Sequence, residues 1–305
     1  MNEFDIIIIG SGPGGYVAAV RASQLGMKVA VVEKAETGGI CLNWGCIPTK
    51  ALLKSAQVLD YVRHAADYGI NAGEAPAPDF GAVIARSRGV AEAMSKGVQY
   101  LFKKYNVPVI SGFGRLKGAG AVEVEAADGT KEIYSAKHII IATGARSREL
   151  PNLRQDGKKI IGYREAMTLP SLPASMVVVG SGAIGSEFAG FYRSMGTEVT
   201  LVEFMPRLLP IEDDEVSRTL ERSFKKARMK IMVNSTVEKV DTSGDKCIVT
   251  IKTPKGEETV EADVVLSAVG ITPNIEGIGL EETGVKTDRG RIVVDEFYRT
   301  SVNGV

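Results

Sequence analysis

The sequence predicts an α/β protein with two parallel-sheet domains of one design, and three observations predict it. Two apolar strands, Ile6 to Ile9 and Met176 to Val179, each run straight into a glycine-rich turn. Each turn is followed by a helix-length stretch, a further glycine and a second apolar strand that closes on a glutamate. The second arrangement repeats the first 170 residues later, which a chain of 305 residues accommodates as about two domains.

In the first copy the strand leads into Gly10-Ser11-Gly12-Pro13-Gly14-Gly15, an Ala-rich helical stretch to Leu25, a turn at Gly26, and Val29 to Val32 ending on Glu33 and Lys34. In the second it leads into Gly180-Ser181-Gly182-Ala183-Ile184-Gly185, a helix to Met195, a turn at Gly196, and Val199 to Val202 ending on Glu203. Twenty-three positions separate Gly10 from Glu33 and Gly180 from Glu203. A lone Gly-x-Gly-x-x-Gly is often just a flexible turn, but strand, glycines, helix, strand and terminal acid in order specify a dinucleotide-binding βαβ unit. The fold class is therefore two Rossmann-like, three-layer nucleotide-binding domains.

Each residue type has a physical task. Gly10 and Gly180 permit the tight turn, Gly12 and Gly182 let the backbone approach a pyrophosphate, and Gly15 and Gly185 let helix and strand pack closely. The pyrophosphate then sits at a helix N-terminus, where free N–H groups present a partial charge of about half a unit. Glu33 and Glu203 accept hydrogen bonds from a ribose diol and repel a 2′-phosphate. NAD is therefore expected over NADP, although a free Arg207, four residues beyond Glu203, would soften that preference.

Short strands and turns follow each unit. Asp128-Gly129 separates Val122 to Val124 from Ile133-Tyr134, and Pro254-Lys255-Gly256 separates Ile248 to Ile251 from Val260, each reading as a hairpin of an inserted β-meander. A buried strand ending in glycine is expected after each hairpin, from His138 to Gly144 and from Asp263 to Gly270. Pro151 and the Leu169 to Pro173 stretch mark crossovers. The domains are read as 1–150, 151–275, and 276–305 returning to the first.

Composition narrows the partners. Hydrophobic residues make up 44% and charged residues 24%, and 37 Lys and Arg balance 37 Asp and Glu, so no broad basic field offers itself to nucleic acid or anionic lipid. Ile6 to Ile9 is too short for a membrane span or a secretory segment. Three cysteines are too few for a secreted disulfide framework; Cys41 and Cys46 lie close together, Cys247 alone, and a redox pair in a reducing, cytoplasmic compartment fits better. Buried reduced thiols are the alternative. His64 and His138 have no ligand-spaced partner, so no metal site is expected.

The segment Gly38-Gly39-Ile40-Cys41-Leu42-Asn43-Trp44-Gly45-Cys46-Ile47-Pro48-Thr49-Lys50 directly follows the first ribose acid. It resembles the active-site disulfide of the pyridine nucleotide-disulfide oxidoreductases, and with Lys50-Ala51-Leu52-Leu53 behind it, most of all the dihydrolipoamide dehydrogenase branch. With both fingerprints in order, the resemblance covers essentially the whole chain. It implies FAD and NAD as cofactors, with FAD in the first domain and NAD in the second. It also implies a Cys41–Cys46 disulfide, in which Cys41 exchanges with a dithiol substrate and Cys46 faces the flavin in a charge-transfer complex; the residues alone do not divide those roles.

Geometry adds a condition. Five residues of regular helix rise roughly 7.5 Å, beyond the ≈ 7 Å Cα limit for bridging two cysteines. A break is needed, and Gly45 and Pro48, the latter disfavouring helix at Ile47, are expected to supply it. The spacing of Leu52, Ala56, Leu59, Val62 and Ala66 then predicts a helix whose positive end stabilises a Cys46 thiolate.

By the same resemblance Lys50 stands beside flavin N5, paired with Glu187; read alone, each is an ordinary surface charge. Gly14, Lys34, Gly39, Gly114, Thr143, Gly144 and Ala145 resemble further FAD contacts, and Ala183, Val237 and Gly270 resemble NAD contacts. Ile184 stands where relatives keep a residue that covers the flavin. Cys247 reads as structural.

The chain departs from the family in two ways. The sequence ends at Val305, before the family's Gly-Asp return to the flavin, so the C-terminal interface domain, with the His–Glu pair a neighbouring subunit supplies for proton transfer, is expected to be missing from it. The 305-residue chain alone is therefore expected to be inactive or incomplete. Ile271-Thr272 also precedes Pro273-Asn274 where relatives commonly carry arginines. The resemblance implies a homodimeric whole protein serving the lipoyl-bearing domain of a 2-oxoacid dehydrogenase or glycine cleavage complex. A related NAD(P)H-dependent reductase of glutathione or mercury type, or a non-catalytic nucleotide-binding fragment, are the alternatives.

Overall fold

The computed structural model describes residues 3–74 and 77–305, which form two compact units. One comprises Met1–Ile47, Val90–Arg146 and Thr272–Val305. Its strands are β1 (Glu3–Ile9), β2 (Val29–Glu33), β3 (Val109–Ser111), β4 (Phe113–Leu116), β5 (Ala121–Glu125) and β6 (Lys131–Ile141), in one six-stranded sheet ordered β3-β2-β1-β6-β5-β4.

The period-two pleat sorts its apolar residues. Ile7, Ile9, Ala30 and Val32 bury one face with Val122, Val124, Ile278 and Leu280. Ile8, Val29 and Val31 bury the other with Ala19 and Ala22 of α1 (Pro13–Gln24) and with Val98 and Phe102. Pro13 opens α1, where its missing N–H costs nothing.

β6 corrects one expectation. Ile133-Tyr134 and the His138 segment belong to one 11-residue strand that ends at Ile141, before Gly144, and His138 is exposed. Its first half pairs antiparallel with β5, Val122 opposite Tyr134. Its second half pairs parallel with β1, Ile6 opposite His138. One strand thus serves both meander and parallel sheet, and no break is needed.

The other unit comprises Pro48–Gly89 and Ser147–Ile271. Its five-stranded sheet is parallel throughout, in the order Lys230–Met232, Glu198–Val202, Ser175–Val179, Val264–Ser267, Ile160–Ile161. Met176, Val178, Val199 and Leu201 pack on Phe188, Phe191 and Tyr192 of helix Ala183–Met195. Val177, Val179 and Val202 pack instead on Val237, Val249 and Ile251 of a separate three-stranded meander, Thr236–Asp241, Cys247–Thr253 and Gly256–Ala262.

Here the chain does break between meander and parallel strand, at Asp263. Its carboxylate accepts from Ser175 N at 2.8 Å and its own N–H donates to Ser175 Oγ at 3.1 Å. The strand after it stops at Ser267, short of Gly270.

The sequence-based division at 150 and 275 differs from these units chiefly in the segment 48–89. Leu52, Ala56 and Leu59 of α3 (Cys46–Arg63) share one buried cluster with Phe80, Phe188, Phe191 and Tyr192, and that apolar face decides the grouping. Val62 is half-buried, and Ala66 is exposed in the 3₁₀ turn Ala65–Tyr68 rather than in the helix.

Leu52 has no exposed surface. Leu52→Ala is expected to destabilise the chain by roughly 2–5 kcal/mol, through lost burial plus the cavity left behind. Equilibrium urea unfolding checks this; a loss below ~1 kcal/mol would show that the helix is not anchored by this side chain.

Candidate functional site

The two glycine turns superpose in their internal geometry. Gly12 and Gly182, each the N-cap of its helix, both have φ −64° and ψ −176°, with no side chain capping either helix and no acid in either first turn. Gly10 and Gly180 take φ +108° and +97°, the left-handed side that favours glycine. A β-carbon on Gly15 would run into the Gly10 carbonyl, and one on Gly185 into the Gly180 carbonyl. A β-carbon on Gly12 or Gly182 would meet nothing within 4 Å, so this side of each turn is open. Gly14 and Ala183 occupy the first turns of the two helices.

The strand-end acids are anchored alike. Glu33 accepts from Ser11 N at 2.9 Å, Ser11 Oγ at 2.6 Å and Ala35 N at 2.8 Å. Glu203 accepts from Ser181 N at 2.7 Å, Ser181 Oγ at 2.6 Å and Met205 N at 2.8 Å. Ser11 and Ser181, both fully buried, were missed by sequence reasoning. The signal was available, since serine follows the first glycine in both copies. An open, uncapped, acid-free helix start beside a fixed carboxylate fits the pyrophosphate and ribose of an adenine dinucleotide, once in each unit.

The loop after Glu33 turns back onto its own glycine turn. Gly38 N donates to Ser11 Oγ at 3.1 Å, and a β-carbon on Gly39 (φ +62°) would approach Gly12 Cα to 2.7 Å. From there runs α2 (Gly39–Trp44), carrying Cys41. Asn43 Nδ2 donates to the Thr37 and Gly39 carbonyls, both at 3.0 Å, and Trp44 Nε1 to Glu36 Oε1 at 3.1 Å. Trp44 thus ties the redox helix to the loop before it.

Cys41 and Cys46 form a disulfide with their Cα atoms 4.8 Å apart. The break that permits it lies at Gly45 alone, between α2 and α3. Ile47 and Pro48 are both helical, contrary to expectation, because Pro48 falls in the first turn of α3, where no intrahelical N–H is required. A β-carbon on Gly45 would stand 3.1 Å from the Ile40 carbonyl and 3.3 Å from Cys41 Cα, so a larger residue would be tight there. Cys46 is exposed and is the first residue of α3.

Lys50, one turn on from Cys46, is ion-paired with Glu187, Nζ to Oε1 2.5 Å, with 61% and 29% of the side chains exposed. Ile184 is half-buried against the aromatic cluster of its own helix. Lys34 is exposed, its ammonium 5.4 Å from the centre of the Phe113 ring. Gly114 is buried in β4, where a β-carbon would press on Ile9 and Val32. The Thr143 and Gly144 carbonyls accept from Asn274 Nδ2 at 3.1 Å and Asn274 N at 2.9 Å, and Ala145 follows, half-buried. Arg146 in turn holds the Asn274 amide oxygen and the Glu276 carboxylate, and that pairing draws the Glu276 carboxyl down to about 2. Val237 is buried in its meander strand, its carbonyl accepting from Asn152 Nδ2 at 2.7 Å, and Gly270 is exposed at φ +110°. Arg207 is turned into its own loop, paired with Asp214.

Cys247 is fully buried, and that burial pushes its thiol up in pKa, in keeping with a structural role. His64 Nδ1 lies 3.2 Å from its helix neighbour Asp60 Oδ1. Among the described residues no group of three or more His, Cys, Asp or Glu is placed to hold a metal, and no helix is long and apolar enough to cross a membrane.

Comparison with known proteins gives a consistent picture. The family described as pyridine nucleotide-disulphide oxidoreductase matches residues 4–305. A dihydrolipoyl dehydrogenase of Rhizobium etli is 47% identical across all of this chain and 66% of its own length. One of Zymomonas mobilis is 47% identical across all of this chain and 65% of its own length. The chain thus spans about two thirds of these curated relatives. The crystal structure of LpdA from Mycobacterium tuberculosis is similar at TM-score 0.90 and 30% identity, covering 100% of this chain and 66% of that one.

Two outcomes test the site. Ser181→Ala removes a buried hydroxyl that donates to a carboxylate and is expected to cost about 1.5–3 kcal/mol in urea unfolding; an unchanged midpoint would mean that Met205 N and Ser181 N suffice. At pH 8 a maleimide is expected to leave Cys247 unmodified in the folded chain and to modify it in urea, read by mass spectrometry. Equal rates in both would contradict its burial.

Proposed function

The chain belongs to the pyridine nucleotide-disulphide oxidoreductase family, and from that membership we propose that the whole protein is an NAD-dependent dihydrolipoyl dehydrogenase. The observation that carries the reading is the Cys41–Cys46 disulfide, set at a helix break in the unit that also bears the first nucleotide fingerprint.

The chain's own residues account for the thiol chemistry. A thiolate of the dihydrolipoyl group attacks the Cys41 sulfur, the Cys41–Cys46 bond breaks, and the electron pair leaves on Cys46. The second substrate thiol, giving up its proton, then displaces Cys41 and closes the substrate disulfide. Two electrons and two protons leave the substrate, and the cysteine pair holds the electrons. Cys46, at the first position of an 18-residue helix, is placed where its thiolate is stabilised. When bound, FAD would supply a two-electron acceptor for the cysteine pair and NAD a hydride carrier. Gly10, Gly12, Gly15 and Glu33 hold the first nucleotide, and Gly180, Gly182, Gly185 and Glu203 the second. The Lys50–Glu187 pair keeps the Lys50 ammonium positioned on α3.

The same reading assigns the whole protein a homodimeric state, a cytoplasmic location in keeping with a cycling thiol pair, and a lipoyl-bearing domain of a 2-oxoacid dehydrogenase or glycine cleavage complex as partner. Steady-state assays of the whole protein test it. Lipoamide with NADH is expected to give the highest kcat/KM, and a higher value for glutathione disulfide with NADPH would overturn the assignment. On anaerobic two-electron reduction, Cys46→Ser is expected to abolish long-wavelength absorption while Cys41→Ser retains it; the reverse pattern would exchange the two roles.

A further inference from the structure

The loop from Phe204 to Asp213 follows the second ribose acid and contains one cation, Arg207. Proximity in sequence would let that arginine answer a 2′-phosphate. The structure employs it otherwise: the guanidinium pairs with Asp214 and donates to the carbonyls of Pro210 at 3.0 Å and Glu212 at 3.2 Å.

The loop that holds it is itself fixed. Leu208 is fully buried, and its carbonyl accepts from Ser217 Oγ at 2.5 Å. Leu209 N donates to the carbonyl of Ser181, inside the glycine turn, at 3.2 Å. At the other end Met205 N donates to Glu203. Among the described residues the donors on the Glu203 carboxylate are neutral, two from Ser181 and one from Met205. A ribose hydroxyl donates readily to such a carboxylate, whereas a 2′-phosphate would bring close to two negative charges beside it. A free arginine would offset them by bidentate hydrogen bonding.

We propose that Asp214 is a specificity-determining positioning residue: from the start of the following helix, where Arg218 also lies 3.7 Å from its carboxylate, it engages Arg207, denies the second fingerprint the cation of the loop after its ribose acid, and so restricts it to adenosine without a 2′-phosphate. This rests on the reading of that fingerprint as a nicotinamide dinucleotide site.

Titration calorimetry of 5′-AMP and 2′,5′-ADP into the whole protein, saturated with FAD so that the first fingerprint is filled, separates the two claims. In Asp214→Asn the affinity for 2′,5′-ADP relative to 5′-AMP is expected to rise about tenfold, the scale of one charge-assisted contact to phosphate. Asp213, whose carboxylate accepts from Glu215 N, still caps the helix in that variant. Adding Arg207→Leu to it is expected to cancel the rise. Arg207→Leu alone is expected to leave 5′-AMP affinity unchanged. An unaltered ratio in Asp214→Asn, or a rise that survives Arg207→Leu, overturns the proposal while leaving the site intact. So does a drop in 5′-AMP affinity in the single Arg207→Leu variant at unchanged thermal stability. Failure of the unmodified chain to bind 5′-AMP at all overturns the site and the proposal together.

Discussion

Two carbonyl oxygens, those of Gly10 and Gly180, stand where a β-carbon on Gly15 or Gly185 would have to be. This exclusion fixes how near each helix start lies to the end of its strand. Once helix and strand meet there, the N-cap glycine keeps an open side, and the turn's buried serine falls within reach of the next strand's glutamate. The near-identity of Gly12 and Gly182 in backbone angle follows from the same contact being made twice. A nucleotide site of this type is thus a consequence of steric closeness first and of polar chemistry second.

What distinguishes the two copies is the segment leaving each acid. After Glu33 the chain folds back through Gly38 and Gly39, whose close approach to Ser11 and Gly12 launches the helix that carries Cys41. After Glu203 it folds back through Leu209 onto the Ser181 carbonyl and delivers no cysteine, only an arginine bound to its own loop. The duplicated turn is therefore a common platform, and the loop docked on it decides whether a unit carries the disulfide or an arginine paired close to its own loop. The sheets diverge for a comparable local reason. An uninterrupted β6 joins meander and parallel strands, whereas Asp263, bound to Ser175, separates them in the other unit.

Much of this was legible in the sequence because it is carried by residues with steep preferences. Glycines that must lack a β-carbon, an acid closing a strand, and period-two apolar runs place the βαβ units within three residues at every boundary. The hairpins were legible from Asp128-Gly129 and Pro254-Lys255-Gly256. Less visible was anything decided by packing at a distance. The grouping of 48–89 depends on Leu52, Ala56 and Leu59 meeting Phe188 and Phe191, more than 120 positions away, and no local pattern states that. Ser11 and Ser181 escaped because serine is unremarked in a turn, and only the duplication singles them out.

The helix break shows how one residue can be read correctly and its neighbour wrongly. Proline is hostile to a helix interior but welcome in the first turn, so whether Pro48 interrupts or initiates depends on where the helix begins. The disulfide settles that point. Cα atoms 4.8 Å apart across five positions cannot belong to one continuous helix, and Gly45, where a β-carbon would crowd the Ile40 carbonyl and Cys41 Cα, is the residue left outside both helices. With the break there, α3 must start at Cys46, and Pro48 becomes an initiating residue. That start gives Cys46 the uncompensated N–H groups of a long helix, while Cys41 lies inside the short one before it. The asymmetry between the two sulfurs therefore arises from a single glycine, before any cofactor or substrate is considered.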